Sequence, residues 1–210
     1  MKPFLSNSKC ATPIQHDLEE SLEAEEQFEK ALGRFIIAWT DAETELYQVL
    51  ISYSKVSHAV GRALFSGTRA RSMVDFIRSI AHNTSMDHDR KEDLEYVFAQ
   101  MVIINKMRDH LVHYTSSSYS YRAEEPQKRV VANTRASRYG KVIGYEISAE
   151  TIEKMTWDLY GIANHLNMHW GPRTGSFQAW RENPEDSEPT PWSYKPPQPI
   201  PAWENTPSQN

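Results

Sequence analysis

Arg108, Asp109 and His113 are the residues whose types and spacing best suit chemistry. An imidazole exchanges a proton near neutral pH. A guanidinium keeps its charge and presents donors in a rigid fork. Asp109 and His113 lie four apart, about 40° around a helix, so a carboxylate–imidazole contact that orients His113 is feasible. Arg108 and His113 lie five apart, about 140° around the axis, and do not converge within one chain. A two-fold dimer would bring Arg108 of one chain to His113 of the other. The plainer alternative pairs Arg108 with Glu43 or Glu45 of the first helix. His113 would then only cap its helix C-terminus, where positive charge is favoured.

Other residues compete for attention. His165 and His169 stand i, i+4, which suits two metal ligands. The string His165-Leu166-Asn167-Met168-His169 lacks the Glu of an HExxH site, so solvated or capping histidines are the better reading. Asp87-His88-Asp89 reads as a helix N-terminal cap rather than a metal site. No metal and no cofactor are expected. After His113 comes a basic stretch with Arg122, Lys128, Arg129, Arg135, Arg138 and Lys141 against Glu124 and Glu125. Tyr114, Tyr119, Tyr121 and Tyr139 lie in or beside it. Cations mixed with aromatics can clamp phosphates and stack bases, making this a candidate RNA contact; an ordinary solvated hairpin is the alternative. The sequence has no phosphate-binding Gly-rich loop, no Ser-His-Asp order and no zinc-finger spacing.

The elements that must position these residues are mainly helical. Phe28, Leu32, Phe35, Trp39, Ala42, Leu46, Val49 and Tyr53 recur in alternating steps of four and three, a heptad seam that predicts a long helix from about 17 to 54. Shorter helices are expected over 57–65 and 69–82, the latter facing the core through Met73, Phe76, Ile77 and Ile80. The next helix runs from about 87 to 113. Its apolar stripe is Leu94, Val97, Met101, Ile104 and Leu111, flanked by Phe98, Val102 and Val112. Arg108 interrupts that stripe, and a charge there is costly unless it is paired or opens to a cleft. Residues 114–121 lose the pattern. A short hairpin is expected over 127–147, with its turn near Tyr139-Gly140. A last helix, capped by Ser148, carries Ile152, Met155, Leu159, Ile162, Ala163 and Leu166 and ends near Trp170.

This gives a leader over 1–16, a helical domain over 17–170 and a tail over 171–210. The stretch 173–210 holds eight of the twelve prolines and three of the six tryptophans, so no regular helix or sheet is expected in Pro196-Pro197-Gln198-Pro199-Ile200-Pro201. Trp180, Trp192 and Trp203 are costly to leave in water and suggest that the tail lies across the domain or a partner. The net charge of −5 argues against a protein that coats nucleic acid through bulk charge, so any RNA contact must be local. The lone Cys10 allows no intramolecular disulfide. A free thiol, no apolar leader and no long apolar run suit the cytoplasm, without membrane insertion.

Arg108-Asp109-His110-Leu111-Val112-His113 resembles the signature of the HEPN superfamily: Arg, a polar residue, three further residues, then His, at the C-terminal end of a long bundle helix. The resemblance implies an all-α antiparallel helical bundle, here with a small β-hairpin insertion before the last helix. It also implies a homodimer with the two motifs facing each other. Family members that cleave RNA do so without a metal, by attack of the 2′-hydroxyl on the adjacent phosphate. By resemblance His113 is the acid/base, Arg108 the phosphate clamp and Asp109 the residue that orients His113. A toxin or defence effector, with an antitoxin as protein partner, is one role this implies. In the toxin–antitoxin branch a Tyr stands two positions after the His; here that position is Thr115, and Tyr114 directly follows His113. Other members are scaffolds that do not cleave, so a non-catalytic binding or assembly module is the alternative.

Overall fold

The computed structural model describes residues 13–113, 115–119, 128–132, 144–170 and 191–200, with side chains over 22–113, 144–170 and 191–199. Helix α1 (Pro13–Ser54) carries the heptad seam. Its seam residues are buried, except Leu32 and Tyr53, which are half-buried. Each large apolar side chain so buried contributes about 1.5–3 kcal/mol. The helix begins four residues earlier than the seam suggested. Pro13 is its first residue, where a missing N–H costs nothing.

Helix α2 (His58–Phe65) starts at Ser57, whose Oγ accepts from the Val60 amide at 3.4 Å. Helix α3 (Ala70–Asn83) follows Gly67, which takes φ 75 in the connecting turn. The buried face of α3 is Ala70, Met73, Val74, Ile77 and Ala81; of the expected Met73, Phe76, Ile77 and Ile80, Met73 and Ile77 are buried and Ile80 is half-buried against the core, while Phe76 departs. Phe76 is 46% exposed. Val74 and Ala81 complete the core face, and Phe76 turns instead toward Phe65 of α2, 6.0 Å away between ring centroids.

Helix α4 (His88–His113) buries Leu94, Val97, Phe98, Met101, Ile104 and Met107, while Val102 and Val112 are exposed. Helix α5 (Ala149–Trp170) is capped as expected, Ser148 Oγ accepting from the Thr151 amide at 3.2 Å. It buries Ile152, Met155, Leu159, Ile162 and Leu166. Gln100 of α4 meets Asp158 of α5, and Asp93 meets His165 and His169, so α4 runs antiparallel to α5. Arg108 lies over Trp39 while the other end of α4 reaches Tyr53 through Asp93 and His169, so α4 is antiparallel to α1 as well. The described residues thus form an all-α bundle with α4 central to the candidate site. None of their helices is long and apolar enough to cross a membrane.

A small antiparallel sheet adds to this frame, in the order β1-β2-β3-β4. Strands β2 (Lys128–Ala132) and β3 (Gly144–Ile147) are the expected hairpin, Val131 opposite Tyr145. Its turn, Tyr139-Gly140, lies outside the described residues. Strand β1 (Thr115–Tyr119) corrects the reading of 114–121 as unpatterned. Its backbone pairs with β2 although Thr115-Ser116-Ser117-Ser118-Tyr119 offers no alternating apolar face. Strand β4 (Pro199–Ile200) corrects the expectation of no sheet in the proline-rich tail. It sits at the edge of the sheet, where a proline without an N–H is tolerated.

Residues 191–200 form a strap across α4 and α5. Tyr194 is 1% exposed, and Trp192 stacks on Tyr96 at 4.8 Å. Asp158 accepts from the Ser193 amide at 2.8 Å and the Tyr194 amide at 2.9 Å. Gln100 Nε2 donates to Asp158 at 2.8 Å and to the Tyr194 carbonyl at 3.2 Å. Gly161 makes room, since a Cβ there would lie 3.1 Å from the Trp192 ring. The expectation that a tail tryptophan covers the domain therefore holds for Trp192. Trp180 and Trp203 lie outside the described residues.

Candidate functional site

The motif closes α4. Arg108 projects from the core side of the helix, between the buried Ile104 and the half-buried Leu111. Its guanidinium carbon lies 5.7 Å from the centre of the Trp39 ring, a cation–π arrangement, and its Nη1 donates to Asp109 Oδ1 at 3.0 Å. The side chain remains 30% exposed, and its buried Nε has no hydrogen-bond partner. The alternative pairing with Glu43 or Glu45 does not occur. Glu45 instead accepts from Trp170 Nε1 at 2.6 Å and from Asn167 Nδ2 at 3.1 Å.

Asp109 is 47% exposed and spends an oxygen on Arg108. Among the described residues it makes no contact with His113, so within one chain it does not take the orienting role expected of it. The adjacent guanidinium is the nearer and permanently charged partner. His113 is the exposed last residue of α4. Arg108 and His113 leave the helix on different faces, as their spacing dictates.

His110, inside the motif, is tied to the sheet. Its ring lies 4.8 Å from that of Tyr145 on β3. Burial, followed by the nearby Lys106 ammonium, pushes its pKa down from the ordinary histidine range, so the ring is neutral at physiological pH. Sequence reasoning missed both Trp39 and Tyr145 as supports of the motif. Trp39 could have been found, because the helical seam already placed it in the core. Tyr145 could not, because its role depends on how the sheet folds back on α4.

Of the residues proposed to touch RNA, Tyr114, Arg122, Arg135 and Arg138 lie outside the described residues. Lys128 and Arg129 open β2, where the backbone alone is described.

The opposite end of the bundle holds a second histidine cluster. Asp93 Oδ2 accepts from His169 Nε2 at 2.8 Å, and Asp93 Oδ1 accepts from His165 Nδ1 at 3.1 Å. His169 Nδ1 in turn lies 2.7 Å from the Tyr53 hydroxyl, so both ring nitrogens are engaged. The His169 side chain is fully buried, and those of His165 and Asp93 nearly so. Burial alone would raise the Asp93 pKa, but the hydrogen bonds and charge of His165 and His169 outweigh it and hold the carboxyl at about 2. Burial pushes the Tyr53 phenol up to about 12. The expectation of solvated or capping histidines is corrected here: they are internal ligands of a carboxylate 72 and 76 residues away in sequence.

Among the described residues the set of three metal-ligating side chains whose atoms converge is His88, Asp89 and Glu92. It is an open helix start, with His88 Nδ1 3.6 Å from Glu92 Oε1 and the Asp87 carbonyl accepting from the Lys91 amide at 3.2 Å. The Asp87 carbonyl thus takes the first backbone hydrogen bond of α4, the position of a helix N-cap.

Fold and site together define an all-α bundle with an Arg-x4-His motif at the C-terminal end of α4. No protein-family model, no curated protein and no solved structure matches this chain.

Proposed function

We propose that the chain is a HEPN-like, metal-independent endoribonuclease that acts as a homodimer. The observation that carries this reading is Arg108. It stands on a core-facing stripe, yet it is sealed by neither glutamate of α1 and keeps nearly a third of its side chain in solvent. His113 lies on the outward side of α4, and Val112, 45% exposed, stands between it and Arg108 around the helix. A second copy packed on the C-terminal end of α4 would cover Val112 and set Arg108 of one chain against His113 of the other, leaving the part of the helix around Val102 open.

In the proposed reaction the RNA 2′-oxygen attacks the adjacent phosphorus. His113 takes the 2′-hydroxyl proton as the new P–O2′ bond forms and the P–O5′ bond breaks. The leaving 5′-oxygen picks up a proton, giving a 2′,3′-cyclic phosphate and a 5′-hydroxyl. Arg108 faces the negative charge that builds on the phosphoryl oxygens. Asp109, bonded to Arg108, fixes the direction of the guanidinium. The same reading extends to a toxin or defence effector in the cytoplasm, with an antitoxin as its protein partner.

RNA incubated with and without EDTA, comparing the native chain with His113→Ala, tests this. The expected result is cleavage that survives EDTA and falls by about 10²–10⁴-fold in the variant. No cleavage, or cleavage unchanged by the substitution, would sink the reading.

A second reading, a non-catalytic binding or assembly module, draws on a different surface. Trp157 is 69% exposed on α5 and packs edge-on against Tyr160 at 5.9 Å. Exposed aromatic pairs of this kind are typical of partner contacts. The tail no longer supports this reading through Trp192, which is spent on the chain's own Tyr96.

A further inference from the structure

We propose that the groove between α3 and α4 binds the nucleotides of single-stranded RNA next to the cleaved phosphate. The inference rests on the ribonuclease reading and names the track of its substrate. Two adjoining hollows of about 440 and 220 Å³ follow these helices and share Arg78 as a wall. The larger one reaches the motif itself, since Asp109 lines it together with Asn105 and Lys106 of α4 and Arg71 of α3.

Charge favours a polyanion. Arg78 is cancelled by Glu95 through hydrogen bonds of 2.6, 2.8 and 3.1 Å, and Asp109 by Arg108. What remains along the groove is Arg71, Lys91 and Lys106 against Asp75. Among the described residues these three cations have no carboxylate within salt-bridge reach. A local positive field is therefore present in a chain of net charge −5. It satisfies the requirement that RNA contact be confined to one surface.

Geometry links the groove to the reaction. Lys106, Asp109 and His113 share one side of α4, and His113 lies about 6 Å beyond Asp109 along the axis. That rise is on the order of one nucleotide step, so a chain whose reacting phosphate meets His113 lays its next nucleotide into the larger hollow. Arg71 and Lys106 then flank the following phosphate. The Asn105 amide, with two donors and one acceptor group, is placed to read a base edge.

The test is anisotropy of a labelled single-stranded RNA 12-mer, titrated with the full chain carrying His113→Ala so that the probe stays intact. Adding Arg71→Glu and Lys106→Glu should weaken binding at least about tenfold and lower the slope of log Kd against log salt by about 1–2. Lys30→Glu with Arg34→Glu, the same charge change on α1, should leave both nearly unchanged. Circular dichroism confirms that each variant folds. Equal weakening by both pairs, no weakening by the groove pair, or no RNA binding at all would overturn the proposal. Groove-dependent binding by a native chain that fails to cleave would uphold the groove while refuting the ribonuclease reading.

Discussion

At one end of the bundle His169 has both ring nitrogens engaged, by Tyr53 and by Asp93, and is wholly buried. At the other end His113 closes α4 in solvent, with Arg108 five residues before it and incompletely paired. Both ends look alike in sequence, as histidines near acids on amphipathic helices. The structure separates them by whether the polar groups satisfy one another. A closed set of hydrogen bonds in a dry interior stabilises and fixes geometry. An open set leaves donors and charge for something outside the chain. By that criterion the Asp93 end joins α1, α4 and α5, and the Arg108 end is the one to which we assign the proposed chemistry.

The comparison breaks most visibly at Asp93. Asp93→Ala removes the carboxylate that orders two buried histidines and should cost about 3–5 kcal/mol in urea-melt stability. His113→Ala should stay within about 0.5 kcal/mol of the native chain, as expected of an exposed helix end. Similar losses at both positions would erase the contrast.

The strap gives the next largest effect. Asp158→Ala leaves the amides of Ser193 and Tyr194 and the Gln100 side chain without their acceptor. A loss of about 2–3 kcal/mol is expected, together with faster proteolysis between 171 and 200. An unchanged proteolysis pattern would show that Asp158 does not hold the strap.

Acid sharpens the contrast by a smaller amount. The folded Asp93 pKa of about 2 lies below its ordinary value of 3.8. Its contribution is therefore complete above about pH 4 and lost as pH falls through about 2. The shift corresponds to about 2 kcal/mol. Asp93→Asn should flatten that part of the stability curve. A curve for the variant parallel to that of the native chain would assign the acid sensitivity to other groups.

How much of this was legible beforehand follows from the range of each interaction. The α1 seam, the Ser148 cap and the break at Arg108 are local periodicities, and they read correctly. On α3 the periodicity places Met73 and Ile77 correctly and fails only at Phe76, which gives way to the smaller Val74 and Ala81 at the core. Strand β1 was missed because its Ser-rich run takes its place from backbone pairing with β2 rather than from side-chain pattern. The His165–Asp93–His169 cluster and the Trp192 strap join residues far apart in sequence. Gln100 and Asp158, polar residues set among apolar stripes, were the available sign that something crossed there.

In the proposed dimer Arg108 and His113 work together across a two-fold axis. Arg108→Ala and His113→Ala chains, each inactive alone, can be unfolded together, refolded as a mixture and assayed for RNA cleavage. Random mixing gives about half heterodimers, each with one intact composite site, so about a quarter of native activity should return. A mixture as inactive as its components would contradict the account.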